Sequence, residues 1–290
     1  MFRDAYEIAR KYTHPLVVTL RFFDKTIEGG LGSFIILNDD GWLMTAAHNF
    51  GASFAFNQHQ NEIKEYQEKI QNINNKKQIK EGQKKALLRA IKPNKKWVTN
   101  FAILLSGNPI KIEESYVYGK HDLAFFRIDK SAIKDQKVFP KIIDPTKIKS
   151  GTSLCKLGFP FVEFSPTFND ANGQFELPKD LLPLPLFPIE GLYTRNLLTN
   201  ENDGGINVQY LETSSPGLKG QSGGPIFDQQ GNIFAVQSKN VTLPLGFTGS
   251  VKIKGKTVEE NQFLNVGIGV HPETIKFFLD KHNIKYELAE

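Results

Sequence analysis

Short apolar runs with β texture dominate the chain. In its first half they are "PLVVTLRFF", "GSFIIL", "GWLMTAA", "SYVYG" and "DLAFFRI". Each is rich in β-branched or aromatic residues and bounded by Gly, Asn or Asp, the pattern of strands between turns. "LNDDGW", with Asp40-Gly41 at its tip, joins two of them as a hairpin. After residue 140 a second set follows: "GTSLCKLGFP", "IEGLYTR", "INVQYLET", "GPIFD", "NIFAVQS" and "FLNVGIGV". Two sets of about six strands predict an all-β protein built of barrels or a sandwich. The strand–helix alternation of a parallel α/β sheet is missing.

Helical periodicity interrupts this texture in three places. Residues 1–11 carry Phe2, Tyr6, Ile8 and Ala9 among charges. Residues 57–96 are polar and carry Ile63, Tyr66, Ile70 and Ile73 at steps of three and four, a narrow stripe that predicts a helix or helical hairpin inserted into the β body. "HPETIKFFLDKHNI" predicts a C-terminal helix over 272–282, with Pro272 in its first turn and Ile275, Phe278 and Leu279 on one face. Residues 161–188, interrupted by Pro and Asn, predict a long loop. The expected division is an N-terminal β unit over 1–140, with the insert at 57–96, and a C-terminal β unit over 141–290.

Charge sharpens the reading of the insert. The chain carries a net charge of +5, yet residues 57–96 alone hold eleven Lys/Arg against four Glu, so the remainder is slightly acidic. Aromatics for stacking on bases are nearly absent there, so nucleic acid is not the expected partner. The insert reads as a solvated helical arm or as a docking surface for a regulatory protein. The single cysteine, Cys155, allows no intrachain disulfide and fits a reducing compartment. The N-terminus lacks secretory texture, and no apolar run approaches the length of about 18 residues that a membrane helix needs. A cytoplasmic location is expected. No cluster has metal-ligand spacing, and neither metal nor cofactor is expected.

Three stretches carry chemistry. "LMTAAHNF" places His48 after an apolar strand, "GKHDLAFFRI" places Asp122 before another, and "GLKGQSGGP" places Ser222 among glycines. A serine hydroxyl is a poor nucleophile unless a base takes its proton, and the base needs a partner to hold its tautomer. Histidine suits the base and a carboxylate suits the third role. Three glycines within five residues suggest a special backbone around Ser222.

Together these segments resemble the chymotrypsin-fold (trypsin-like) serine proteases, in texture the bacterial HtrA/Deg type. "GGLGSFIILNDDGWLMTAAHNF", "HDLAFFRI", "LCKLGFP" and "ETSSPGLKGQSGGPIFDQQGNIFAVQS" carry the likeness, over residues 15–56 and 97–282. The resemblance implies two six-stranded antiparallel barrels with the helical insertion and C-terminal helix added. It implies Ser222 as nucleophile, His48 as base and Asp122 as its orienting acid. The N–H groups of Gly220 and Ser222 would form the oxyanion hole. Ser238 matches a serine beside the acid, and Pro216, Gly217, Ser238 and Lys239 would line the substrate pocket. The implied activity is endopeptidase, selective for few protein substrates and possible in bacterial stress or defence. The alternative is a catalytically silent module of the same fold that binds peptide or protein.

Gly220-Gln221-Ser222-Gly223-Gly224 also satisfies the G-x-S-x-G elbow of α/β-hydrolases, with His271 or His282 as the later histidine. The hairpin texture after Ser222 and the order His, Asp, Ser oppose that reading. Two departures from trypsin stand out. Gln221 occupies the place of the aspartate that pairs with a freshly cut N-terminus, so activation by that route is not expected. Pro216 occupies the place of the pocket aspartate, so cleavage after Arg or Lys is not expected. A PDZ domain, usual in HtrA-type relatives, is not expected after the last helix.

Overall fold

The computed structural model describes residues 2–76, 79–105, 108–253 and 256–289. Helix α1 (Arg3–Tyr12) buries Ala5, Ala9 and Tyr12 and turns its charges outward. The first sheet comprises β1 (Thr13–Phe22), β2 (Ile27–Ile36), β3 (Trp42–Thr45), β4 (Val98–Leu105), β5 (Asn108–Pro109), β6 (Ile112–Tyr118) and β7 (Leu123–Ile128), in the order β5-β4-β1-β2-β3-β7-β6. Its strands pair antiparallel.

Alternate residues of the central strands serve two cores. Phe34, Ile36, Leu43, Ala124 and Phe126 fill the inside of this sheet with Leu16 and Ile103. Ile35, Met44, Leu123 and Phe125 point the other way and pack with Val208, Tyr210, Phe227 and Val236 of the second sheet. Burial on both faces explains why "SFIIL" and "DLAFF" read as continuous apolar runs.

The second half contributes β8 (Lys141–Ile142), β9 (Ser153–Lys156), β10 (Thr167–Asn169), β11 (Gln174–Glu176), β12 (Ile189–Asp203), β13 (Ile206–Thr213), β14 (Pro225–Phe227), β15 (Ile233–Ile253), β16 (Lys256–Val270) and β17 (Glu287–Leu288). The larger sheet runs β14-β9-β12-β13-β16-β15-β8-β17, and β14 also pairs with β15. That extra pairing closes β14, β9, β12, β13, β16 and β15 into a ring, a barrel without free edges. The mostly-β, two-barrel, chymotrypsin-like architecture expected from the sequence is the one observed. Helix α4 (Pro272–Lys281) buries Ile275, Phe278 and Leu279. Helix α1 belongs spatially to the second barrel: Tyr12 Oη donates to the carbonyl of Gly231 at 2.7 Å, and Phe2 meets the Phe227 ring edge-on.

Three expectations need correction. The inserted helix does not start at residue 57. Helix α2 (Gly51–Asn74) grows directly out of the 3-10 turn Ala47–Phe50, because Gly51 adopts right-handed helical angles and breaks nothing. It is followed by α3 (Glu81–Ala90). The expected strands also omit "VTNFAILL", which forms β4 beside β1. Helix α2 covers β4: the Val98 N–H donates to His59 Nδ1 at 3.0 Å and Gln60 donates to the Val98 carbonyl at 3.1 Å. Finally, β15 and β16 run far past the barrel as one hairpin arm. Pro244, Gly246 and Gly249 look like strand breakers, but the irregularity between Pro244 and Thr248 absorbs the first two and pairing then resumes. Among the described residues, no helix is long and apolar enough to cross a membrane.

Candidate active site

Both halves build the site. His48 sits in the 3-10 turn after β3, and Asp122 sits at the start of β7, which pairs with β3. Adjacent strands therefore bring the two together. His48 Nδ1 lies 3.0 Å from both Asp122 carboxylate oxygens, and the His48 backbone N–H donates to Oδ1 at 2.9 Å. Ser238 Oγ donates to the other oxygen from the second barrel. Asp122 has φ +53°, the left-handed region that Asp tolerates better than most residues. Burial pushes its carboxyl pKa up, but the hydrogen bonds from His48 and Ser238 outweigh burial and hold it below its ordinary value.

The Ser222 loop is locked to the same elements. The Ser222 carbonyl accepts from the Ser33 N–H at 2.8 Å and from Asn49 Nδ2 at 3.1 Å. Ser33 Oγ donates to the Gly220 carbonyl at 2.8 Å. Gly223, at φ +84°, passes so near β3 that a Cβ there would lie 2.0 Å from Thr45 Oγ1 and 2.3 Å from the Ser33 carbonyl. Gly220, at φ +98°, could not carry a side chain either, since its Cβ would meet the Phe159 carbonyl at 2.3 Å. Neither the Gly220 N–H nor the Ser222 N–H has a hydrogen-bond partner among the described residues. Ser222 Oγ itself donates to the Ser238 carbonyl at 3.4 Å.

Gln221 is fully buried, and its amide serves two segments. Its Oε1 accepts from the Leu218 N–H at 2.9 Å and its Nε2 donates to the Phe187 carbonyl at 3.0 Å. It thereby ties the Ser222 loop to the end of the long 161–188 segment. That segment carries the β10–β11 hairpin and bridges to the first sheet. Asp170 pairs with Arg21 at 2.7 Å, the Arg21 guanidinium lies over the Phe168 ring, and the Phe164 ring covers Gly29. Between the segment and the Ser222 loop opens a cavity of about 970 Å³, lined in part by Leu31, Phe161, Leu184, Lys219 and Gly220.

The other sequence candidates fall as follows. Pro216 and Gly217 lie in the stretch leading into the loop, where the Gly217 N–H and carbonyl are both bonded by the Asn240 side chain. Lys239 is exposed, with its ammonium over the Tyr210 ring at 4.6 Å. His271 caps α4 by accepting from the Glu273 N–H, and His282 stacks on Tyr116; neither is an elbow histidine. The described residues contain no cluster able to hold a metal. Sequence reading missed Ser33, Thr45 and Asn49, which clasp the loop. Asn49 directly follows His48 and Ser33 lies within "GLGSF", but nothing in the letters says that these side chains reach 187 or 173 residues along the chain.

The trypsin-like peptidase domain family matches residues 32–236, more than half of the chain, from beside Ser33 into the start of β15. The chain belongs to the trypsin-like peptidase domain family. Membership supports a serine-protease-like function for this trypsin-like peptidase domain. Among solved structures it is similar to the HtrA-type protease AlgW with tripeptide, at 14% identity and TM-score 0.49, covering 98% of this chain and 64% of that one. It is also similar to the Rv3671c protease from M. tuberculosis, active form, at 11% identity and TM-score 0.49, covering 98% of this chain and 86% of that one. The trypsin-like domain thus spans just under two thirds of the length of AlgW. No curated protein matches the chain.

Proposed function

We propose that the protein is a serine endopeptidase with Ser222 as nucleophile, His48 as base and Asp122 as the acid that orients it. The observation that carries the reading is the doubly anchored Asp122–His48 pair facing a nucleophile loop clasped to the same turn. In the first step Ser222 Oγ bonds to the substrate's carbonyl carbon and its proton passes to His48 Nε2. The carbonyl oxygen becomes an oxyanion that the free Gly220 and Ser222 N–H groups face. Collapse breaks the C–N bond, and His48 returns the proton to the departing amine. Water then repeats the cycle on the ester, releasing acid and restoring the Ser222 hydroxyl. In the resting site Ser222 Oγ donates to Ser238, so a χ1 rotation precedes attack. Serine–base hydrogen bonds commonly tighten only with substrate in place.

That same resting bond supports a second reading, a silent module that binds peptide. Labelling with a fluorophosphonate separates them: covalent label on Ser222, lost in Ser222→Ala and after denaturation, is the expected result. No label under any condition, with or without candidate partners, would favour the binding module. The enzyme acts inside the cell on few protein substrates, in stress or defence. Buried Cys155, its thiol pushed up to about 12 by burial, needs no partner there. The α2–α3 insert offers a docking surface to a regulatory protein, and unchanged peptidase activity and regulation after deleting residues 57–96 would remove that role.

A further inference from the structure

The nucleophile loop has two flanking segments. Residues 215–217 lead into it, and 237–240 run past Ser222, whose Oγ touches the Ser238 carbonyl. The side chain preceding a scissile bond must enter between them, because its carbonyl carbon is held at Ser222 Oγ with its oxygen toward the Gly220 N–H. Three polar side chains of the protein crowd or bond to residues 215–217. Asn240 reaches across the mouth, accepting from the Gly217 N–H at 2.7 Å and donating to the Gly217 carbonyl. Gln237, almost wholly buried, presses its amide on the same glycine: a Cβ on Gly217 would lie 2.2 Å from Gln237 Nε2. Its Oε1 has no hydrogen-bond partner among the described residues. Lys156 raises the floor. It is buried, and its ammonium donates to the Ser215 carbonyl, to Ser215 Oγ at 2.9 Å and to the Pro216 carbonyl at 3.1 Å. A Cβ on Gly267, on the facing strand β16, would lie 2.7 Å from its Nζ.

We infer that Asn240, Gln237 and Lys156 fill the pocket for the residue before the scissile bond, and so restrict the enzyme to small side chains there: Gly, Ala or Ser. The inference rests on the peptidase reading above. Asn240 is the bolt. Its two bonds to the backbone of one residue, Gly217, fix the distance between the flanking segments, and it is the only one of the three that is exposed and so removable without opening a buried cavity. Lys239 is not the selector, because its ammonium lies on Tyr210.

The test uses the intact protein and peptidyl diphenyl phosphonates that differ only in the side chain at this position: Ala, Val, Phe, Glu and Lys. Rates of inactivation are followed alongside labelling by a small fluorophosphonate. The Ala probe is expected to react about 10- to 100-fold faster than the Phe and Lys probes. Asn240→Gly is expected to shrink that ratio at least about tenfold, because the mouth of the pocket opens. The wild-type ratio decides the matter even where the variant does not fold. Equal rates for Ala and Phe, with Ser222 labelled by both, overturn the filled pocket and leave the peptidase standing. Failure of every phosphonate and of the fluorophosphonate to label Ser222 overturns the peptidase reading, and the pocket assignment with it.

Discussion

The two sides of the site are held by different chemistry. On the first barrel, His48 and Asp122 are joined by hydrogen bonds to an ionised carboxylate, completed by Ser238. On the second barrel, the nucleophile loop is held by neutral amides: Gln221 to Leu218 and Phe187, and Asn240 to Gly217. Charge is concentrated where the proposed reaction moves a proton, since charge-assisted bonds are the stronger and respond to ionisation. Amides are used where shape must be held, since they do not titrate. Buried Gln221 ties the shape of the Ser222 loop to Phe187.

Breaking the charged side has the largest effect. Asp122→Asn is expected to lower kcat by about 10⁴-fold with the fold intact, because His48 loses the partner that fixes its tautomer; steady-state kinetics on a cleaved peptide, with circular dichroism as control, checks this. Breaking the neutral side costs less. Gln221→Leu removes the bonds to the Leu218 N–H and the Phe187 carbonyl, and kcat is expected to fall about 10²- to 10³-fold as an oxyanion donor is misplaced. An unchanged kcat in that variant would detach Gln221 from loop order.

Lys156 sharpens the comparison from another direction, as a charge placed among the amides. Burial pushes its ammonium down from 10.5 to about 7. Between those values the unfolded chain holds a proton that the folded chain has lost, so stability rises with pH. Above 9.0 buried Cys155, pushed up to about 12, acts with the opposite sign. The unfolding free energy from urea titration is therefore expected to rise from pH 7 to pH 9, by at most about 1.4 kcal/mol per pH unit. The rise should vanish in Lys156→Met. Smallest is the anchor of the 161–188 segment: Asp170 is largely exposed, so Asp170→Asn is expected to cost about 0.5 kcal/mol or less and to change kcat less than Gln221→Leu does.

The sequence shows this site unevenly, for physical reasons. His48, Asp122 and Ser222 are legible because their segments have local signatures: an apolar strand, a strand start, a glycine turn. The two-barrel architecture is legible because strand texture is local too. The bonds that hold the loop are not local. Ser33, Gln221 and Asn240 act through side chains whose partners lie elsewhere in the chain, and Asn and Gln look alike whether they face water or bolt a pocket. Lys156 sits in "SLCKLGFP", where a lysine reads as an outward strand residue until the barrel closes over it. The long β15–β16 arm was hidden by Pro244 and Gly246, which mark turns in most contexts and an irregular stretch of strand here.

The clasp at Gly223 makes the site depend on both halves of the chain. The nucleophile loop obtains its surroundings from Ser33, Thr45 and Asn49, all on the other barrel. Neither barrel can therefore carry a finished site by itself. If the chain were produced as two fragments divided between the barrels, hydrolysis would follow the product of the two fragment concentrations, saturating at their dissociation constant. Catalysis would then report, molecule by molecule, on whether two surfaces had met.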